Sequence, residues 1–135
     1  MNSIHPLFEG IGAAKIDESC NILQGRYSGG VAILWRKELG RFIHRIELNV
    51  DWCTAIELVL DSTKLVVFNV YLPYQCIDNE DEYINCLGAI KSFIEELDCT
   101  NFLIIGDWNA NLSNSGSTLF KQLILDFCNE NQLII

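Results

Sequence analysis

Runs of branched and aromatic residues alternate with short polar segments along most of the chain, and each run predicts one strand or helix. Four runs of strand length cover residues 31–35, 42–48, 53–60 and 65–71. Short polar links without a helical pattern join them, which predicts an antiparallel meander, because parallel strands need long crossovers. Residues 1–24 are mixed in character and predict little regular structure.

Two helical patterns follow the four strands. Residues 80–98 carry apolar side chains at helical spacing, after an acidic segment that supplies a cap and a first turn suited to the helix dipole. Gly88 weakens this helix by about 1 kcal/mol relative to alanine. Ser117 is placed to cap the second helix. Between the helices, residues 102–105 are apolar on both faces and predict a fully buried strand. The fold class is therefore α/β, with a mixed sheet and two helices.

Residues 133–135 are apolar and follow the second helix, so they predict the start of another strand. A complete domain rarely ends as a buried strand begins, so the pattern predicts a truncated chain. The alternative is a short terminal strand of a complete small domain. A lone sheet without its partner would expose a large apolar face, and such faces favour self-association.

The charge is unevenly distributed. The 135 residues are 50% hydrophobic, enough for the core of one domain, and carry a formal net charge of −9. This charge argues against a nucleic-acid binding module, which depends on a basic face. It does not argue against a metal-dependent nuclease, whose active site is itself acidic. One basic cluster supplies candidate phosphate contacts, with solvated surface charges as the alternative; it consists of Arg26, Arg36, Lys37, Arg41 and Arg45.

The six cysteines show no zinc-site spacing, which predicts buried thiols in a reducing compartment rather than a disulfide framework. No apolar run reaches the roughly 18–20 residues that span a bilayer. The N-terminal residues also lack the pattern of a secretory signal. These features predict an intracellular protein without a membrane partner.

A carboxylate and a carboxamide follow the apolar run 102–105. Asp107 and Asn109 are two residues apart, so their side chains share a face if the strand continues through them. Hard oxygen ligands of this kind can bind Mg²⁺ or Mn²⁺, or position a phosphate and a water. A turn is the alternative, because aspartate and asparagine side chains hydrogen-bond to nearby backbone.

Three segments together resemble the endonuclease domain of non-LTR retrotransposons, a group within the endonuclease/exonuclease/phosphatase superfamily. They are residues 25–35 (GRYSGGVAILW), 69–73 (NVYLP) and 106–110 (GDWNA). The resemblance implies that residues 1–135 are a partial domain from the middle of the four-layer α/β/β/α sandwich of that superfamily. It also implies DNA as the substrate of the complete domain and Mg²⁺ or Mn²⁺ as the cofactor.

The resemblance implies roles for individual residues. Asp107 corresponds to the aspartate that contacts the attacking water or the metal-bound phosphate, and is the implied metal ligand. Asn109 corresponds to the asparagine that orients the phosphate and the nucleophile. Tyr71 corresponds to the tyrosine near the scissile phosphate; a strand-end aromatic packed on the core is its alternative. The candidate substrate-binding residues are Arg26, Asn69 and Asn111.

Several residues of that family have no counterpart in this sequence. Its metal-binding glutamate would lie upstream, and Glu9 falls in no predicted strand. Its Ser-Asp-His segment would lie downstream, and His5 and His44 come too early to replace it. Many members also carry asparagine where this chain has Tyr74.

The leading hypothesis is a fragment of a Mg²⁺-dependent, DNA-nicking endonuclease that is weak or inactive alone. Tyr71, Asp107 and Asn109 are expected to converge at adjoining strand ends. One alternative is a phosphatase of the same superfamily that acts on a phosphoinositide or a small phosphate ester. The other is a non-catalytic remnant.

Overall fold

The computed structural model describes residues 5–14, 30–97, 100–112 and 118–134. The chain divides into two compact units. The first consists of Met1–Tyr71 and Cys99–Gly106, and the second of Leu72–Asp98 and Asp107–Ile135. The described part of the first unit is built on β-strands, and that of the second on two α-helices.

The larger sheet is four-stranded, in the order β3-β4-β5-β6, and its strands are β3 (Ile43–Ile46), β4 (Cys53–Leu60), β5 (Thr63–Tyr71) and β6 (Phe102–Asp107). The first three are antiparallel neighbours, which confirms the meander for these strands. β6 runs parallel to β5. The Val66 amide donates to the Asn101 carbonyl over 3.0 Å, and Gly106 lies against Val70 further along both strands. The sheet is therefore mixed, as predicted.

The predicted place of the first strand was wrong. β2 (Val31–Arg36) does not join the meander but pairs with β1 (Phe8–Ala13) in an antiparallel two-stranded sheet. The sequence pattern missed β1 because glycine occupies two of its six positions. A Cβ at Gly10 would approach the Ile33 carbonyl to 2.9 Å, so β1 and β2 pack more closely there than a side chain would allow. A 3₁₀-helix, Lys37–Phe42, occupies the link to β3, where no helix was predicted.

The strand after the first helix is less buried than predicted. Leu103 and Ile105 of β6 are 48% and 42% exposed. Residues that are apolar on both faces suggest that both faces are covered, but the described residues cover only one. The buried core of the first unit comes from the other strands; it includes Trp35, Cys53, Ala55, Ile56, Val66, Phe68 and Val70.

The second unit contains α1 (Glu80–Glu96) and α2 (Leu119–Glu130), close to the predicted helices. α1 has the predicted acidic first turn, although the side chain of its N-cap, Asn79, makes no capping bond. α2 is capped by Thr118, whose hydroxyl accepts from the Lys121 amide over 3.3 Å. The predicted cap, Ser117, lies outside the described residues.

The predicted strand after α2 was also wrong for the residues described there. The Leu133 amide donates to the Cys128 carbonyl over 2.8 Å, the Gln132 amide donates to the Asn129 carbonyl over 3.3 Å, and Gln132 has φ +55°. This is a Schellman motif, which ends a helix with one left-handed residue and an apolar residue after it. Leu133 therefore belongs to the helix terminus. Ile135 lies outside the described residues.

Cys76 and Cys128 carry free thiols; Cys128 is buried as predicted, whereas Cys76 is half-buried. The reducing compartment stays a prediction. Burial raises the pKa of the Cys128 thiol. Within the described residues, neither helix is long and apolar enough to cross a membrane.

Glu57 of β4 contacts two basic side chains on the surface of the first unit. Lys64 Nζ donates to Glu57 Oε1, and His44 Nδ1 lies beside Glu57 Oε2, both over 3.2 Å. These hydrogen bonds, that from Lys64 first, hold the pKa of Glu57 below its ordinary value of 4.5. A depressed pKa stabilises the fold only while the group is ionised. The stabilisation is therefore present above pH 4.5 and is lost as the pH falls through the lowered folded pKa.

Replacing Glu57 with glutamine is expected to lower the free energy of unfolding by about 0.5 kcal/mol near neutral pH, the value typical of an exposed ion pair. The difference from the wild type should shrink to nothing below the folded pKa. Urea unfolding at neutral and acidic pH measures it. Glu47→Gln is the control, since Glu47 is exposed and makes no ion pair with a described residue. An equal effect of the two substitutions at every pH would contradict the assignment.

Candidate active site

Two of the predicted residues lie on the loop that follows Gly106. The Asn109 amide donates to Asp107 Oδ1 over 2.9 Å, and Asn109 has φ +48°. Asparagine tolerates this left-handed conformation better than most residues. The strand therefore does not continue through Asn109, and a turn brings its backbone to the Asp107 carboxylate. Of the two geometries that the sequence allowed, the turn is the one observed.

Leu72 holds this loop from the start of the second unit. Its amide donates to the Asp107 carbonyl over 2.9 Å, and its carbonyl accepts from Asn109 Nδ2 over 2.7 Å. In a carboxamide the nitrogen donates and the oxygen accepts, so this contact with a carbonyl fixes which way the Asn109 carboxamide faces. Among the described residues, nothing hydrogen-bonds to the Asn109 Oδ1 atom. That oxygen and the second Nδ2 hydrogen are the atoms of Asn109 that could contact a ligand.

Tyr83 supports the same loop from α1. Its side chain is fully buried, and its hydroxyl donates to the Trp108 carbonyl over 2.8 Å. Burial raises the pKa of Tyr83 above its ordinary value, and the charges of Cys86 and Asp107 add to the shift. The hydroxyl therefore remains a neutral donor. Tyr83 lies within residues 80–98, whose apolar spacing predicted a helix, and its role in the loop was not predicted. The indication in the sequence was that a tyrosine buried on a helix usually needs a hydrogen-bond partner.

Replacing Tyr83 with phenylalanine is expected to lower the free energy of unfolding by about 1 kcal/mol, because the Trp108 carbonyl loses its donor. Amide hydrogen exchange at Asn109 should also become faster, since the loop is held by one bond fewer. Tyr74→Phe is the matched control, because Tyr74 is exposed in the same unit and its hydroxyl makes no hydrogen bond to a described residue. If both variants retain wild-type exchange at Asn109, the hydroxyl does not restrain the loop.

Trp108 lies between the two polar residues and turns toward the helices. Its ring packs against Phe127 of α2 at a centroid distance of 6.2 Å. The Asp107 side chain, by contrast, is exposed. The loop therefore has one half-buried ring packed against α2 and a carboxylate presented to solvent beside it.

Asp107 could supply a metal ion with one ligand, but the described residues around it do not supply a complete set. Among the described residues, no group of three or more histidine, cysteine, aspartate or glutamate side chains could hold a metal ion. Mg²⁺ often takes only one or two protein carboxylates and completes its shell with phosphate oxygens and waters. Asp107 fits that role as one ligand.

The other predicted residues belong to the first unit or to the end of the loop. Tyr71 ends β5 with its side chain 40% exposed, so it is not a core aromatic, and its amide donates to the Trp52 carbonyl over 2.8 Å. Its convergence with Asp107 and Asn109 stays a prediction. Asn69 Nδ2 donates to the Ala32 carbonyl over 3.0 Å and so ties β5 to β2.

Three further residues were considered in the sequence. Asn111 is exposed in the second unit, and its predicted contact with substrate stays a prediction. Arg26 lies outside the described residues. Glu9, which was placed in no strand, lies in β1 directly opposite Trp35 and is exposed. This corrects its secondary structure but gives it no metal-binding partner among the described residues.

No model of a known protein family matches the sequence, and no curated protein matches it either. A solved structure does match: the endonuclease domain of TRAS1, a telomere-specific non-LTR retrotransposon, with a TM-score of 0.65 and 10% sequence identity. The match covers 92% of this chain and 52% of that one, so this chain spans about half the length of the solved structure. At this identity the similarity establishes the fold. The resemblance found in the sequence is confirmed at that level.

Proposed function

We propose that this chain carries part of the catalytic centre of a retrotransposon-type endonuclease that nicks DNA with the help of Mg²⁺ or Mn²⁺. One observation carries the proposal: an exposed carboxylate, Asp107, and an oriented carboxamide, Asn109, share one hydrogen-bonded loop. The fold similarity to the TRAS1 endonuclease domain supports a nuclease-type function for that loop. A loop fixed by its own hydrogen bonds holds such groups ready for a ligand.

The two residues divide the chemistry between them. Hydrolysis of a phosphodiester needs a positioned water and neutralised charge on the phosphoryl oxygens. Asp107 can accept a hydrogen bond from the attacking water or bind the metal with the oxygen that the Asn109 amide does not use. Asn109 can donate its second Nδ2 hydrogen to a phosphate oxygen and accept from the water with Oδ1. Mg²⁺, when bound, supplies charge neutralisation at the phosphate.

The hydrogen bonds around Leu72 and Tyr83 support this division of roles. They hold the loop at three separate points: the Asp107 carbonyl, the Trp108 carbonyl and the Asn109 carboxamide. Groups that are already in place do not have to reorganise when the substrate binds, and this saves part of the activation barrier.

Nicking of supercoiled plasmid DNA tests the proposal. The 135-residue chain is expected to convert plasmid slowly to nicked circles in Mg²⁺ or Mn²⁺, and not in EDTA. Weak activity is expected because the described residues offer the metal one carboxylate rather than a full set of ligands. Nicking that persists in EDTA would contradict the metal requirement.

Parallel assays separate the alternatives. Release of inorganic phosphate from phosphoinositides or small phosphate esters, without nicking, would favour a phosphatase of the same superfamily. If neither reaction occurs and Mn²⁺ does not bind, the chain is a non-catalytic remnant.

A further inference from the structure

One segment of the first unit has a charge opposite to that of the rest of the chain. Residues 36–45 hold four basic side chains and one acidic one, a net charge of +3. The remaining sequence holds five basic and seventeen acidic side chains, a net charge of −12. The four basic residues, here called the basic face, are Arg36, Lys37, Arg41 and Arg45.

The residues of the basic face are exposed cations, although Glu38 lies among them and the Glu9 carboxylate lies beside Gly40. All four side chains are exposed, and within the described ranges none makes an ion pair. Lys64, in the same unit, shows the contrast: its ammonium group is bonded to Glu57. The positive charge of the basic face therefore remains available to an anion in solvent.

Aromatic rings hold two of the guanidinium groups. The Arg45 guanidinium carbon lies 5.5 Å from the centre of the Trp35 ring, and that of Arg41 lies 4.5 Å from the Phe42 ring. Trp35 is buried, so its ring is a fixed support. Stacking on a ring restrains a guanidinium group while its N–H edges stay free, and those edges match the geometry of a phosphate.

The backbone beneath the basic face is also fixed. Arg36 pairs with Phe8 at the end of the β1–β2 hairpin, and the Lys37 amide donates to the Leu7 carbonyl over 3.0 Å. Arg41 lies on the 3₁₀-helix that begins at Lys37, so a rise of about 2 Å per residue separates the two by about 8 Å. Four cations thus lie within ten residues of the chain, and one small phosphate could contact only some of them.

We propose that the basic face is a docking surface for the phosphate backbone of a nucleic acid, independent of sequence and of any metal. Duplex DNA carries one charge per about 1.7 Å of its axis, so one segment can meet several cations of the face at once. An anionic bilayer extends well beyond the basic face, so the net charge of −12 on the remaining sequence opposes a bilayer more than it opposes a narrow nucleic acid.

Fluorescence anisotropy of a labelled duplex, in EDTA and over about 50 to 200 mM salt, tests this proposal. Four phosphate contacts predict that the logarithm of the association constant falls with that of salt at a slope of about −3.6. Lys37→Gln and Arg45→Gln should each reduce the magnitude of the slope by about 0.9. Lys91→Gln is the matched control, because Lys91 is an exposed cation on α1 and its loss changes the net charge equally. It should leave the slope unchanged.

The design separates the docking surface from the proposed nuclease centre. Because EDTA removes metal, failure of nicking has no bearing on the slope. Circular dichroism melts show whether each variant is folded, and the substituted positions are exposed, so each single substitution is expected to leave the fold intact. Absent binding at low salt, or an equal loss of slope in Lys91→Gln, overturns the proposal. Binding to phosphatidylserine vesicles but not to the duplex would also overturn it, and would assign the surface to membranes.

Discussion

Replacing Gly106 with alanine is expected to lower the free energy of unfolding by about 3–5 kcal/mol, a large part of the total stability of a small protein. Gly106 has φ +125°, a conformation that residues with a Cβ rarely adopt. An added Cβ would also clash with the Val70 carbonyl oxygen and would lie 2.7 Å from the Val70 nitrogen and 2.8 Å from Asn69 Oδ1. Two of these three atoms belong to the backbone of β5 and cannot move aside. Urea unfolding should show a much lower midpoint.

The same substitution at Gly88 provides the control, with the opposite sign. Gly88 lies within α1, and a Cβ there would meet no atom within 4 Å. Alanine should therefore raise the free energy of unfolding by about 1 kcal/mol through helix propensity alone. A wild-type midpoint for Gly106→Ala would contradict the close approach of β6 to β5.

This contact gives a physical reason for the glycine before Asp107. Since Gly106 lies against β5 without a side chain, the two neighbouring strands can approach closely just before the chain turns into the candidate loop. The sequence presented only a glycine at the end of an apolar run, where it favours a turn. The neighbour that requires it is about 36 positions earlier in the chain, and local patterns do not identify such partners.

The elements that the sequence predicted well are those whose own pattern is strong. β4, β5 and α1 combine long periodic runs with clear turn or cap signals at their ends, and each was placed within a few residues. β1 was missed because its glycines interrupt the apolar pattern. β2 was found but given the wrong neighbour, because an apolar run indicates a strand and not its partner.

In the candidate site, too, local features were predicted from the sequence and long-range contacts were not. Asp107 and Asn109 were identified from residue type and spacing within one short segment. The resemblance that supports them rests on three such segments. The supporting contacts from Leu72 and Tyr83 join residues that are far apart in the chain. In the sequence, Leu72 was marked only by the proline that follows it, and Tyr83 only by its place in a helical pattern. The basic cluster was visible in the sequence. The contact of Arg45 with Trp35 was not, because the two residues lie on strands of different sheets, β3 and β2.

Replacing Asp107 with asparagine is expected to reduce metal-dependent nicking by about 100-fold or more, with little change in stability. Asparagine keeps an oxygen that can accept from the Asn109 amide, so the turn should survive. It removes the negative charge that a hard cation requires. Activity is expected to be weak even in the wild type, so Mn²⁺ binding gives a second measurement. Paramagnetic broadening of the Asn109 amide signal should appear in the wild type and vanish in the variant.

A matched aspartate separates a specific ligand from general acidity. Asp126 is exposed on α2 in the same unit and accepts from Gln122 Nε2 over 2.8 Å. Asp126→Asn changes the net charge of the protein by the same amount, so it should leave both nicking and broadening intact. Equal losses in the two variants would mean that Mn²⁺ responds to the overall acidity of the chain. Wild-type broadening in Asp107→Asn would mean that the Asp107 carboxylate is not needed to bind the metal, which would contradict its proposed role as a ligand.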